Sequence, residues 1–264
     1  MKIRLKTPIS YYGGKQKLAP IILDLIPQHT MYVEPFIGGG AIFFAKEPSE
    51  IEVLNDTNKE LINFYRMAQN NFVDLEKLVR VSLHSRHLHR DASVIYHHPH
   101  LFTEVQRAWA VWASTAQSFS SIIDNSWGYD KRDNTTTKKI SNKREGFTED
   151  LAIRLQNVQL ECTDAMYVIS SRDTDHSFFY CDPPYPESNC GHYDGYTIED
   201  FEMLLQLLSK VKGKFLLSSY PYPILTEYTE RFGWHTRRFE SKVSVNKGGN
   251  GKMKTEVLSA NYPI

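Results

Sequence analysis

Asp182-Pro183-Pro184-Tyr185, which ends the apolar run Phe178-Phe179-Tyr180-Cys181, holds the residue types in this chain most suited to chemistry. A diproline removes backbone donors and fixes φ, so a parallel strand cannot continue through it and the aspartate is delivered at the strand's carboxyl end. That is where open α/β sheets bind ligands. To an amino group the tetrapeptide offers a carboxylate that accepts one N–H and a stiff prolyl carbonyl that accepts the other, with the amine's lone pair aimed outward. Tyr185 adds a face on which a planar base could stack, worth typically about 1–3 kcal/mol. The plainer reading of the same residues is a Pro-rich turn with a capping Asp.

A second constellation is Val33-Glu34-Pro35-Phe36-Ile37-Gly38-Gly39-Gly40-Ala41, placed between a strand and the apolar Ile42-Phe43-Phe44. Glycines at a strand-to-helix turn let the backbone approach a ligand closely. About 20 residues on stands Asn55-Asp56, where a carboxylate can accept both hydroxyls of a ribose, and the pair of signals suggests a nucleoside-containing cofactor. Tyr11-Tyr12-Gly13-Gly14-Lys15 lacks the spacing of a nucleotide-binding P-loop and by itself reads as a turn. Thr163-Asp164, alone, reads as a helix cap. Six of the ten histidines crowd into residues 84–100, without the carboxylate or thiolate partners at helical spacing that ligand sets usually include, so surface or phosphate-facing histidines are expected and no metal. Cys162, Cys181 and Cys190 form neither a disulfide framework nor a C-x-x-C pair.

The elements that must hold these groups alternate at both ends of the chain, the pattern of a parallel sheet with crossover helices. Strands are expected at 31–34, 51–55, 158–161, 177–182, 214–219 and 256–261. Helices are expected at 18–26, 57–68 and 198–211, the last capped by Thr197 with Asp200 three residues on. Residues 71–150 break the alternation with a His-rich stretch, a Trp/Ala-rich helix over 105–116 and then a polar, basic loop. Trp109, Trp112 and Trp127 are expected in the core. The expected architecture is α/β, a Rossmann-like, mainly parallel sheet domain (1–70 and 151–264) with a mostly helical insertion (71–150).

With 264 residues, 41% hydrophobic, the chain can bury a sizeable core. No apolar run nears the roughly 20 residues that span a bilayer, and the amino-terminal segment lacks a signal peptide's hydrophobic stretch, so a cytoplasmic protein with no membrane partner is expected. Lys+Arg and Asp+Glu both total 31, which removes whole-molecule attraction to polyanions as an argument. The distribution is uneven, however. Residues 1–23 hold five basic residues and no acid, 131–144 hold six against Asp133, and 231–254 hold seven against Glu240. Three basic stretches on a neutral chain tilt the reading toward a polyanion.

In order and spacing these motifs resemble the Dam-like DNA adenine-N6 methyltransferases, in which a cofactor motif precedes, and Asp-Pro-Pro-Tyr follows, the target-recognition segment. Residues 11–15 resemble the family's amino-terminal A-G-G-K block, with Tyr12 where the family often has Ala. Residues 34–40 resemble its cofactor loop and 182–185 its catalytic tetrapeptide. The resemblance implies that Tyr11, Lys15, Phe36, Gly38, Gly40, Asp56, Asp164 and Asp182 surround S-adenosylmethionine. It also implies that Asp182, Pro183, Pro184 and Tyr185 receive an adenine flipped out of double-stranded DNA. The insertion would carry recognition, with Lys131, Arg132, Lys138, Lys139, Lys143 and Arg144 on phosphates. A cognate restriction endonuclease is a further partner such a protein could have. The same tetrapeptide also suits a cytosine N4 amine, an RNA base or a protein amide, and a non-catalytic DNA-binding relative is the remaining alternative.

Overall fold

The computed structural model describes residues 5–11, 13–186, 195–242 and 253–264; Tyr12, Cys190 and parts of two basic stretches (1–4 and 243–252) lie outside the described residues. Strands β1 (Met31–Glu34), β2 (Ile51–Asn55), β3 (Gln159–Glu161), β4 (Ser177–Cys181), β5 (Lys214–Ser219), β6 (His235–Lys242) and β7 (Met253–Ala260) form one sheet in the order β3-β2-β1-β4-β5-β7-β6. Strands β1 to β5 pair in parallel, and β7 runs antiparallel to both β5 and β6. The six expected strands form to within a few residues. Strand β6 was not expected: His235-Thr-Arg-Arg-Phe-Glu-Ser-Lys has no apolar face, and it is held at the sheet edge by its ladder with β7. Charged side chains on an edge also block pairing with other chains.

Alternation along the strands divides the core in two. Tyr32, Phe178 and Tyr180 point to one face and Val33, Phe179 and Cys181 to the other. Helices α9 (Ala165–Ser171), α10 (Ile198–Leu208) and α11 (Pro223–Phe232) cover the second face, where Phe201, Leu204, Leu205 and Leu208 bury the stripe read from the sequence. Both arms of the Thr197–Asp200 capping box are made. On the first face lie α1 (Ala19–Leu25), α2 (Ala41–Ala45), α3 (Lys59–Asn70), α4 (Phe72–Val81), α5 (Arg86–His97), α6 (Glu104–Gln117), α7 (Thr135–Glu145) and α8 (Glu149–Leu155). Residues 71–150 share this core: Leu75, Trp112, Ile140 and Phe147 belong to the same apolar cluster as Phe43, Phe64 and Phe178. An ion-pair group closes the return to the sheet. Arg154 of α8 bonds Glu52 of β2 and the Phe43 carbonyl of α2, while Lys46 bonds the same Glu52 at 2.6 Å.

Two expectations are corrected. The basic loop is a helix from Thr135 onward, despite its weak helix formers, because Ile140 docks into the core and Asp130 accepts from the Thr136 amide and the Thr135 hydroxyl at its start. Trp127 is not in the core with Trp109 and Trp112. It lies half-buried, stacked between surface groups, with His84 at 4.6 Å, Tyr129 at 5.5 Å and the Arg86 guanidinium 4.7 Å from its ring. No helix among the described residues is long and apolar enough to cross a membrane.

Candidate active site

The carboxyl ends of β1 and β4 lie side by side, with Val33 opposite Phe179. From β1 the chain builds outward through β2 and β3, then crosses back to β4 on the other side of β1. This reversal of strand order opens a crevice where doubly wound sheets bind ligands. Both motifs sit there, on adjacent strands, and between them is a cavity of about 450 Å³. That volume suits a cofactor-sized molecule (~300–1,000 Å³).

The glycine turn forms one wall. Gly38 and Gly40 have φ of +46° and +66°, a left-handed backbone that side chains resist, and Gly40 there starts α2. Tyr11 covers the turn so closely that a Cβ on Gly38 would lie 3.2 Å from its ring. Asp56, after β2, is buried and accepts from the Gly38 amide at 3.2 Å and the Asn58 amide at 3.0 Å. Asp164, after β3, caps α9 through the Tyr167 amide, as its isolated reading suggested, and lines the cavity too.

Asp182 forms the other end. Lys15 Nζ lies 2.8 Å from Asp182 Oδ1 and donates to the Gly13 carbonyl at 3.1 Å. The Tyr185 hydroxyl is 3.3 Å from the same carboxylate oxygen and 3.0 Å from Ser218 Oγ of β5, and Tyr220 meets the Tyr185 ring edge-on. Burial by itself would depress the Lys15 ammonium, but Asp182, then Tyr185 and Glu256, outweigh it and hold its pKa above the ordinary lysine value. Tyr185 is raised by burial and by the Asp182 charge. Glu34, buried at the end of β1 with the Tyr32 hydroxyl donating to it at 2.9 Å, is pushed up to about 8, chiefly by burial, with Asp182 adding to it. The direction favours its protonated form.

Every residue assigned above to the cofactor or to catalysis lines this one cavity: Tyr11, Lys15, Phe36, Gly38, Gly40, Asp56, Asp164, Asp182, Pro183, Pro184 and Tyr185. The six basic residues of 131–144 do not line it. Lys131, Arg132, Lys138 and Lys139 are exposed, whereas Lys143 and Arg144 are half-buried against the body. The sequence placed Asn55 beside Asp56 but gave its own side chain no role; it bonds the Pro35 carbonyl and both the carbonyl and amide of Thr163, and so ties together the ends of β1, β2 and β3. Tyr65, which donates to the Gly38 carbonyl at 2.7 Å, was missed. So was Ser121, which the segment after α6 brings to the cavity wall. The polar Asn at a strand end was the one signal available. The crowded histidines take local roles: His89 is buried on Ser118, and His97 faces Asp124 at 3.2 Å. Among the described residues no group of three His, Cys, Asp or Glu side chains is placed to hold a metal.

Comparison with known proteins agrees with this geometry. The chain is 28% identical to the Type II methyltransferase M1.LlaDCHI of Lactococcus lactis subsp. cremoris, with 99% of this chain and 97% of that protein aligned. It is 25% identical to the DNA adenine methylase of Escherichia coli K12, over 97% of this chain and 95% of that protein. To the DNA N-6-adenine-methyltransferase of Escherichia phage P1 it is 26% identical, over 93% of this chain and 34% of that longer protein. The family model described as D12 class N6 adenine-specific DNA methyltransferase matches residues 11–240, from the lysine-bearing turn to the edge strand, and so takes in both motifs and everything between them. The chain accordingly belongs to the D12 class N6 adenine-specific DNA methyltransferases.

Proposed function

We propose that the cavity binds S-adenosylmethionine along the glycine turn and receives an everted adenine at Asp182–Tyr185, in double-stranded DNA. The single observation that carries this reading is that the switch point of the sheet sets the glycine turn and the Asp-Pro-Pro-Tyr segment on the same cavity. Its electrostatics support a cationic ligand. Glu34, Asp56, Asp164, Asp182, Asp200 and Glu256 line it against one lysine among the described residues, and even with Glu34 neutral the balance is acidic. Its length supports an extended one: from β3, which delivers Asp164, to β4, which delivers Asp182, is three strand spacings, roughly 14 Å.

When bound, this cofactor supplies a methyl group on a sulfonium whose leaving group is a neutral thioether. What the protein supplies is position. Tyr11, Phe36, Gly38 and Gly40 shape the wall, and Asp56 and Asp164 stand at the ribose end. Asp182 and the Pro183 carbonyl, to which no described residue donates, accept the two N–H bonds of an adenine amine. Alignment of this kind is worth up to about 7–11 kcal/mol of barrier. Asp182 need not be a strong base, since its hydrogen bond keeps the amine's lone pair out of the ring and relieves the charge that develops on nitrogen. In the free protein Lys15 and Tyr185 hold the Asp182 carboxylate ready.

An adenine amine inside a duplex is paired and out of reach, so eversion at a cost of a few kcal/mol is required. Lys131, Arg132, Lys138, Lys139, Lys143 and Arg144 supply phosphate contacts in this reading. The Type II name of the Lactococcus relative favours a restriction–modification setting with a cognate endonuclease, and a DNA substrate favours the cytoplasm. The test is a duplex carrying 2-aminopurine at the target position. Its fluorescence rises several-fold on binding if the base leaves the stack, and an unchanged signal with a bound duplex contradicts eversion. Calorimetric titration with S-adenosylmethionine, weakened by Asp56→Ala, checks the other half.

A further inference from the structure

Helix α7 carries lysines of two kinds. Lys138 and Lys139 are both exposed to solvent, but Lys139 shares a face with the half-buried Lys143, four residues on, and both of these reach back to the body. Lys143 Nζ donates to the Thr7 carbonyl at 2.7 Å and lies 3.4 Å from Thr7 Oγ1, while Lys139 Nζ donates to Ser121 Oγ at 3.2 Å. Both acceptors belong to the surroundings of the catalytic cavity. Ser121 lines it, and Thr7 precedes Tyr11 in the chain and accepts from Gln16, the neighbour of Lys15.

Lys6, beside Thr7, brings a third ammonium group close enough to bear on Lys143. No carboxylate among the described residues pairs with any of the three. The charged groups that face Lys143 are Lys139 from its own helix and Lys6 from the amino-terminal segment, with none from α4 or α6, the other elements packed on α7. Burial, and then these two charges, push the Lys143 ammonium down to about 7. An ammonium has three donors, and both acceptors near Lys143 are on one threonine. A cluster of like charges with donors to spare, one of them bonded to the cavity-lining Ser121, is completed by an anion with several oxygens.

We propose that Lys6, Lys139 and Lys143 form a phosphodiester site at the mouth of the catalytic cavity, which grips the DNA phosphate next to the everted adenosine. A nucleotide that rotates out about its backbone leaves its phosphates at the mouth of the pocket that receives its base. The inference rests on the reading above that duplex DNA delivers an everted base to this cavity, and adds which phosphate is held and by which lysines.

The experiment uses the full chain and duplexes containing an adenine that the wild-type protein methylates, with one phosphate at a time replaced by a neutral methylphosphonate. The wild type is expected to lose about tenfold in affinity when a phosphate flanking the target adenine is neutralised. Lys143→Met is expected to bind the unmodified duplex about tenfold more weakly and to be indifferent to that replacement. Wild-type affinity should fall between pH 6.5 and pH 8.5 as the Lys143 proton becomes harder to retain, and Lys143→Arg should bind tightly without that dependence. Calorimetric titration with S-adenosylmethionine, equal in the wild type and both variants, shows that the variants fold. Unchanged duplex affinity in Lys143→Met, or a flanking methylphosphonate that still costs it tenfold, overturns the proposal. So does displacement of DNA by submillimolar inorganic phosphate at constant ionic strength, which would mark a site for free phosphate. A wild type that transfers no methyl group to any duplex defeats the underlying reading instead.

Discussion

Lys15 and Asp182 oppose each other at 2.8 Å in the cavity wall, so the carboxylate that meets the adenine amine in the proposed reading is held in place by an ammonium group. Replacing Asp182 with Asn keeps the shape and removes the charge, and single-turnover methylation should slow about 10²–10³-fold while the circular-dichroism melt stays cooperative but moves to lower temperature, because the buried Lys15 ammonium loses its partner. A near-wild-type rate would show that the reactive centre lies elsewhere. Lys15→Met strips one partner from a nearly buried pair and should cost about 2 kcal/mol in denaturant unfolding, less than a wholly dry pair because Asp182 keeps some water. Adding Asp182→Asn to it should recover most of that loss. Glu34 gives a pH signature. Its carboxyl group titrates near 4.5 in the unfolded chain and about 8 in the folded one, so between those values only the folded state holds the proton, and stability falls as pH rises through the window. Glu34→Gln lacks the proton, and its melting temperature should overtake that of the wild type by several degrees from pH 5 to pH 8. Parallel melting curves across that range would refute the assignment.

The elements differ in how openly the chain announces them. Strands β1, β2, β4 and β5 were legible because short apolar runs stop at hard punctuation, whether Glu-Pro, Asn-Asp, Asp-Pro-Pro or the polar end of β5. The glycine turn was equally plain, and its geometry makes a prediction. A methyl group on Gly40 meets both a left-handed φ and the Phe44 ring at 3.0 Å, so Gly40→Ala should destabilise by about 1–2 kcal/mol and weaken cofactor binding in the same calorimetric titration. Helix α7 was hidden because its Thr- and Asn-rich composition favours irregular backbone, and what overrides that is tertiary: Ile140 in the core and the Asp130 carboxylate at its start. Strand β6 was hidden for the converse reason, since an edge strand exposed on its sides needs no apolar period. Trp127 shows that a large aromatic does not imply a place in the core when Arg86 and His84 can pack on it. Of the site, the residues that touch the cavity through motifs were readable. Asn55, Tyr65 and Ser121 act through contacts between segments far apart in sequence, which no local pattern records.

At the scale of the whole molecule, acidic and basic residues are equal in number, and among the described residues the cavity departs from that balance, with six carboxyl groups against one lysine. A neutral protein gains little from long-range steering, so DNA affinity has to come from local phosphate contacts. Neutralising exposed Lys131, Arg132 and Lys138 with Gln should lower the slope of log affinity against log salt by about one unit for each that touches a phosphate, while thermal stability stays as it was. An unchanged slope would move the DNA path off this ridge. The central claim, that one cavity hands a methyl group from a sulfonium donor to the exocyclic amine of adenine, is met most directly by product analysis. Purified protein is incubated with duplex DNA and S-adenosylmethionine labelled in its methyl group, the DNA is digested, and the nucleosides are separated. Label is expected in N6-methyladenine and nowhere else, and is expected to disappear in Asp182→Asn. Label in methylcytosine, or none in DNA from a folded protein that binds both partners, would contradict it.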